Sequence, residues 1–194
     1  MSEDQAAFRP RKLTQEEAQE SFRLYEKITT QTDVDYSKVD NKDRRLVGVQ
    51  GEVLFDSELS KIFISGYGGR QGYMWIAERK EIRGYVELPG DFFIDWFGTI
   101  EVKVAENENL CRIYCRRWND HPALYVAILL KEKDETFRLL GFKHGYEIYE
   151  SEPEGDIRQP TSYYKVTNFR PPETFIEKLE RVRALHNTLN RPLE

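Results

Sequence analysis

Leu88-Pro-Gly-Asp-Phe-Phe-Ile-Asp-Trp-Phe-Gly-Thr-Ile-Glu-Val-Lys-Val104 consists of two arms of aromatic and β-branched residues around Trp96-Phe97-Gly98. Such arms favour extended backbone and the residues between them favour a tight turn, so the stretch predicts a β-hairpin. Side chains alternate faces along a strand. If the arms pair about Phe97, odd positions meet odd positions, and Asp91, Phe93 and Asp95 share a face with Glu101 and Lys103. The even positions Phe92, Ile94, Ile100, Val102 and Val104 are all apolar. One side of the hairpin is therefore core, and the other gathers ionisable groups.

The simplest account of those groups is a cross-strand ion pair between Lys103 and Asp91 or Asp95 on a solvated face, worth at most about 1 kcal/mol. The functional account is a metal site. Asp91 and Glu101 would supply hard carboxylate oxygens to Mg²⁺, which takes one or two protein carboxylates and keeps several waters. Lys103 would contact or orient a metal-bound water, whose pKa the ion lowers, and would offset the charge of two close acids. Metal, water and lysine together suit in-line attack on a phosphodiester, where negative charge develops. A second Glu-x-Lys triplet, Glu78-Arg-Lys80, lies in a charged run and reads as solvated surface.

The chain has 194 residues, 39% of them apolar and 32% charged, the composition of a globular protein with room for a full core. Its formal net charge of −5 argues against a globally basic nucleic-acid binder and leaves room for a local basic groove. Cys111 and Cys115 stand four apart in a predicted strand, on one face with Ile113 and about 13 Å from each other. They cannot bridge each other there and read as small core residues. His121, His144 and His186 have no zinc-like spacing. No apolar run approaches a membrane span, and the N-terminus lacks the apolar core of a secretory signal. An intracellular, cytoplasmic protein without a membrane partner is expected.

Residues 1–13 are polar and read as a mobile lead-in. Thr14-Gln-Glu-Glu17 is a capping box that opens a helix to about Thr30, with Phe22, Tyr25 and Ile28 as its packing stripe. Residues 29–45 read as a polar loop. A second helix is expected from about Val47 to Phe63, with Phe55, Leu59, Ile62 and Phe63 buried. Glu52 lies on that stripe, either there or solvated in the first turn, where the helix dipole favours an acid. Gly66 to Gly72 lacks a P-loop ending and reads as a flexible connection. Tyr73–Ala77, Leu110–Trp118, Ala123–Leu130 and Glu135–Phe142 read as strands, the third buried on both faces. Tyr163–Val166 reads as a short edge strand, and Glu173–Leu189 as a closing helix with Phe175, Leu179, Val182 and Leu185/His186 inward.

The order Gly48-x-x-Gly-Glu52 on a helix, Pro89-Gly-Asp91 on one strand and Ile100-Glu-Val-Lys103 on the next resembles the PD-(D/E)XK nuclease superfamily, over roughly residues 46–179. Gly90, inserted between Pro89 and Asp91, departs from the usual motif, and Asp95 supplies a second candidate acid. The resemblance implies an α/β fold: a restriction-endonuclease-like core with a mixed four- to five-stranded sheet flanked by helices. Residues 1–45 would form an N-terminal helical extension and residues 46–194 the nuclease-like domain. Asp91 and Glu101 would be metal ligands, Lys103 the catalytic lysine, and Glu52 the helix acid near the metal.

The implied activity is Mg²⁺-dependent phosphodiester hydrolysis, with Mn²⁺ substituting, as an endonuclease acting on DNA. Arg70, Arg116, Arg117 and Trp118, with Arg112, are candidate substrate contacts, by phosphate pairing or base stacking. An acidic nuclease of this kind is expected to rely on a second subunit, a protein partner or a defined DNA structure. The competing class is a catalytically inactive nuclease-fold module for nucleic-acid binding or protein assembly. A β-rich small-ligand binder would leave the acids on the hairpin unexplained.

Overall fold

The computed structural model describes residues 7–31, 42–65, 72–75, 90–105, 107–115, 118, 122–155 and 162–189. In chain order the elements are α1 (Gln15–Gln31), α2 (Lys42–Ile62), β1 (Ile64–Ser65), β2 (Gly72–Trp75), β3 (Phe92–Ile94), β4 (Gly98–Ala105), β5 (Cys111–Tyr114), β6 (Tyr125–Lys131), β7 (Phe137–His144), α3 (Gly145–Tyr149), β8 (Pro153–Glu154), β9 (Tyr163–Val166) and α4 (Pro172–Leu189).

Five strands, in the order β2-β3-β4-β6-β7, make a mixed sheet, which the two-residue β1 extends beside β2. The β2-β3-β4 meander is antiparallel, β6 runs parallel to β4, and β7 returns antiparallel. The apolar run in β6 explains its place: Val126, Ala127, Ile128 and Leu129 are fully buried, as a strand covered on both faces requires. A separate antiparallel sheet has the order β5-β9-β8. Tyr163–Val166 is thus the middle strand of a small sheet rather than an edge.

Helices cover one face of the main sheet. Phe55 and Leu59 of α2, and Phe175 and Leu179 of α4, join Phe92, Ile94, Ile100, Val102, Ala127 and Leu129 in one cluster. Phe175 stands at its centre, with the rings of Phe142, Phe97, Phe55, Phe8 and Tyr125 at 5.2–6.5 Å. The opposite face carries Ala105, Val126 and Ile128 and is covered by Cys111, Ile113, Tyr164 and Val166 of the small sheet, with Trp118 and Ile148. Both cysteines are buried and free, as expected of core residues.

The N-terminal segment departs from the expectation of a mobile lead-in. Phe8 is buried, with its ring 5.0 Å from that of Phe55. Arg11 exchanges two backbone hydrogen bonds with Phe137 at the start of β7. The capping box forms as expected: Glu17 N–H donates to Thr14 Oγ1, and Thr14 N–H donates to the Glu17 carboxylate. The inward face of α1 is rotated from the expected stripe, however. Ser21 and Leu24 are buried while Phe22 is exposed. Tyr25 and Ile28 pack against the core as expected. α2 begins at Lys42, so the boundary expected at 45/46 falls inside a helix. On α4, His186 is buried and Leu185 faces out.

Candidate functional site

β3 and β4 pair as Phe92↔Ile100, Phe93↔Thr99 and Ile94↔Gly98, about Trp96 rather than Phe97. Both registers keep odd positions opposite odd ones, so the predicted division of faces on β4 survives. Phe97 N–H donates to Ile94 carbonyl oxygen at 3.1 Å to close the turn, and Trp96 adopts φ 65. Phe92, Ile94, Ile100 and Val102 enter the core beneath the helices. Glu101 and Lys103 stand opposite Val126 and Ile128 on the other face, at the side the small sheet covers.

Asp91 reaches the site by a local irregularity. Its N–H donates to the carbonyl of Ile100 at 2.8 Å, the residue already paired with Phe92. Two residues thus oppose one, as in a β-bulge, a device that bends a strand and re-aims a side chain. The Asp91 carboxylate takes the next donor, Val102 N–H, at 2.8 Å. Gly90 makes this approach feasible. It sits at φ +89, and a Cβ there would fall 2.7 Å from the Ile100 carbonyl oxygen. The glycine that departs from the sequence motif is thus required by the contact that seats Asp91 against β4.

Asp91 and Glu101 are 3% and 6% exposed. Taking a carboxylate out of water is costly without charged or hydrogen-bonding partners, so two of them at one end of a hairpin demand compensation. Lys103 Nζ donates to Glu101 Oε1 and lies 3.4 Å from the Val102 carbonyl oxygen. Asp91 and Lys103 thus meet the backbone N–H and carbonyl of Val102, and Lys103 also holds Glu101.

Glu52 is half-buried on α2, beside Gly51, where a Cβ would press on Val104 and Leu129. Among the described residues, no group of three or more His, Cys, Asp and Glu side chains converges as a metal cage. Asp95 sits in the turn, its carbonyl oxygen 3.1 Å from His186 Nε2. The three residues of β3 lie between it and Asp91.

Trp118 requires a correction. It is 2% exposed and packs in the second cluster, with its ring 6.2 Å from that of Tyr149, so it offers no face to a base. Arg70, Arg116 and Arg117 lie outside the described residues.

An acid that sequence reasoning missed is Glu58, which is fully buried. It accepts the Phe8 N–H, Arg11 Nε and Lys61 Nζ, each at 2.6 Å. The signal was present, since Glu58 follows Phe55 by three and precedes Leu59 on the apolar side of α2. Its role is to tie the N-terminal segment to the core, away from the hairpin acids.

No protein-family model, curated protein or solved structure matches this chain. No described helix is long and apolar enough to cross a membrane.

Proposed function

We propose that this chain is a metal-dependent nuclease with a restriction-endonuclease-like core, hydrolysing phosphodiester bonds in DNA by attack of a Mg²⁺-activated water. The observation that carries the reading is the pair of buried carboxylates, Asp91 bonded to the Val102 N–H and Glu101 bonded to Lys103, on neighbouring segments of one hairpin. A purely structural ion pair needs neither the second buried acid nor the bulge that seats it.

The donor set suits Mg²⁺, which binds hard oxygens from one or two carboxylates and completes its shell with water. Asp91 and Glu101 would hold it, with Glu52 of α2 as the further acid near the ion. Bound there, the ion would lower the pKa of a water and draw negative charge from the phosphoryl oxygens. Lys103 would orient the attacking water and stabilise charge on the phosphate in the transition state. Burial against Val126 and Ile128 lowers the local dielectric and strengthens each of these interactions.

The test is cleavage of supercoiled plasmid and of single-stranded DNA with Mg²⁺ or Mn²⁺, wild type against Lys103→Ala. Cleavage should require metal and fall at least about 10²-fold in the variant, the usual loss when one transition-state donor is removed. Absence of cleavage by the folded wild type, with no metal binding by calorimetry, would overturn the reading in favour of a non-catalytic module.

A further inference from the structure

The turn that joins β3 to β4 carries a side chain that the fold does not use. Phe97 N–H donates to the Ile94 carbonyl oxygen at 3.1 Å, so Ile94–Phe97 is a hydrogen-bonded turn with Trp96 at its third position. Trp96 adopts φ 65. A turn with positive φ there ordinarily takes Gly or Asn, and a bulky side chain in that region is strained. Strain of this kind persists only where the surroundings impose it, and it gathers at functional sites.

The imposing groups are the two neighbours in the turn. Phe97 is buried, with its ring 4.6 Å from that of Tyr125 and 5.6 Å from that of Phe175. The Asp95 carbonyl oxygen lies 3.1 Å from His186 Nε2 on α4. Between these anchors Trp96 is 71% exposed, and its indole makes no ring contact or hydrogen bond among the described residues. Trp75 and Trp118, by contrast, are buried. Beside the turn, half-exposed Leu124 covers Gly98, where an added Cβ would fall 2.7 Å from Leu124 Cδ2. The chain thus holds a large flat ring in solvent, against backbone strain, at the tip of the hairpin whose β4 arm carries Glu101 and Lys103.

We propose that Trp96 is a stacking contact for an unpaired base of the nucleic-acid substrate. The proposal rests on the nuclease reading and adds a place where the substrate is held away from the acids. Every base offers a π-face, so one rigid, exposed ring can stack without sequence preference. A base inside a duplex has both faces covered by its neighbours, so the contact favours a single strand or a frayed end. Stacking engages the base rather than the phosphate, so it does not call for a cation beside the ring. Gly98 and Glu101 are three residues apart on β4, about 10 Å. At a rise of roughly 3.4 Å per nucleotide of one strand, a substrate lying along the hairpin has its stacked base at least about three nucleotides from the bond at the acids.

The experiment is titration of the full chain with dT15 in EDTA, so that no cleavage intervenes, read by intrinsic fluorescence and by anisotropy of a labelled strand. With Trp75 and Trp118 buried, iodide should quench chiefly Trp96, and bound dT15 should protect it. Trp96→Phe should lose the quenchable emission and keep the affinity within about 3-fold, while Trp96→Gly should weaken dT15 binding on the order of 10-fold. A lost stack lowers log K equally at all salt concentrations, whereas a lost phosphate contact flattens the salt slope, so the slope in Trp96→Gly should be that of the wild type. Trp96→Gly should also melt about 2–4 °C above the wild type, because glycine takes positive φ without strain. A structural role for the indole predicts the opposite sign.

Wild-type affinity in Trp96→Gly, iodide quenching unaltered by dT15, or a Trp96→Gly chain that melts below the wild type overturns the proposal. So does absence of dT15 binding by the wild type. A dimer in sedimentation that Trp96→Gly dissociates would put a second copy of the chain on the ring and overturn it as well. The two readings fail separately. Protection of Trp96 by dT15 without metal-dependent cleavage refutes the nuclease and leaves the base contact standing, and metal-dependent cleavage with KM unaltered in Trp96→Gly does the reverse.

Discussion

Replacing Gly90 by alanine tests the geometry that seats Asp91. The residue adopts φ +89, where a Cβ is strained, and an added Cβ meets Ile100 carbonyl oxygen at 2.7 Å, its carbonyl carbon at 3.0 Å and Ala123 Cβ at 3.2 Å. The left-handed conformation costs an alanine roughly 1 kcal/mol relative to glycine. The contacts are with backbone and a short side chain that cannot swing away, so overpacking adds about 1–3 kcal/mol. Together these predict a loss of about 2–4 kcal/mol, which in a chain of this size lowers Tm by about 4–16 °C.

The strands have to part at this rung, and that displaces Asp91 from Val102 N–H. On the nuclease reading a displacement on the order of 1 Å costs about 10²-fold in rate. Differential scanning calorimetry and plasmid cleavage well below Tm measure the two effects separately. A variant that melts with the wild type would refute the packing argument. One that melts lower but cleaves at the wild-type rate would refute the claim that Gly90 positions a catalytic acid.

Further tests address the frame around the site. Phe8→Ala should destabilise the chain by about 3–5 kcal/mol in urea unfolding, because the ring is buried against Phe55 and Phe175; a loss under about 1 kcal/mol would mean that the N-terminal segment is not part of the core. On α2, Gly48→Ala meets no atom within 4 Å and should stabilise by up to about 1 kcal/mol, while Gly51→Ala meets Val104 Cγ2 at 2.6 Å and should destabilise, so thermal melts of the two should move in opposite directions. Burial opposes the charge on Glu17, but hydrogen bonds from Arg11, Ser57 and Thr14 outweigh it and hold the pKa at about 2, below its ordinary 4.5. A folded-state pKa lowered in this way contributes stability that is full above about pH 4.5 and is lost as pH falls towards 2. Urea midpoints measured at pH 5 and pH 3 should therefore differ less in Glu17→Gln than in the wild type.

The features legible in the sequence were those set by neighbouring residues. Alternation placed Phe92, Ile94, Ile100 and Val102 on the core face, and the apolar run in β6 announced a strand buried on both sides. Thr14 and Glu17 marked the start of α1 because a capping box is closed within one turn of chain. Glu101 and Lys103 shared a face for the same local reason, a period of two. The hairpin's register was less accessible, since pairing about Trp96 or about Phe97 preserves the same alternation.

Tertiary structure alone decided which partner each residue meets. Nothing near Phe8 in the sequence marks it as core; its pocket is made by α2 and α4. Glu58 looks like a misplaced acid until Arg11, 47 residues away, arrives to hold it. Trp118 was open to reading as a stacking residue and is instead filled in by the second cluster. Tyr163–Val166 became a central strand because β5 and β8 flank it. The bulge at Asp91 likewise depends on how closely Gly90 approaches β4. Propensity and periodicity act over a few residues, while burial, register and charge compensation depend on segments brought together by folding. The sequence by itself therefore determined the strands and the acids near them, and the tertiary structure determined which groups those acids meet.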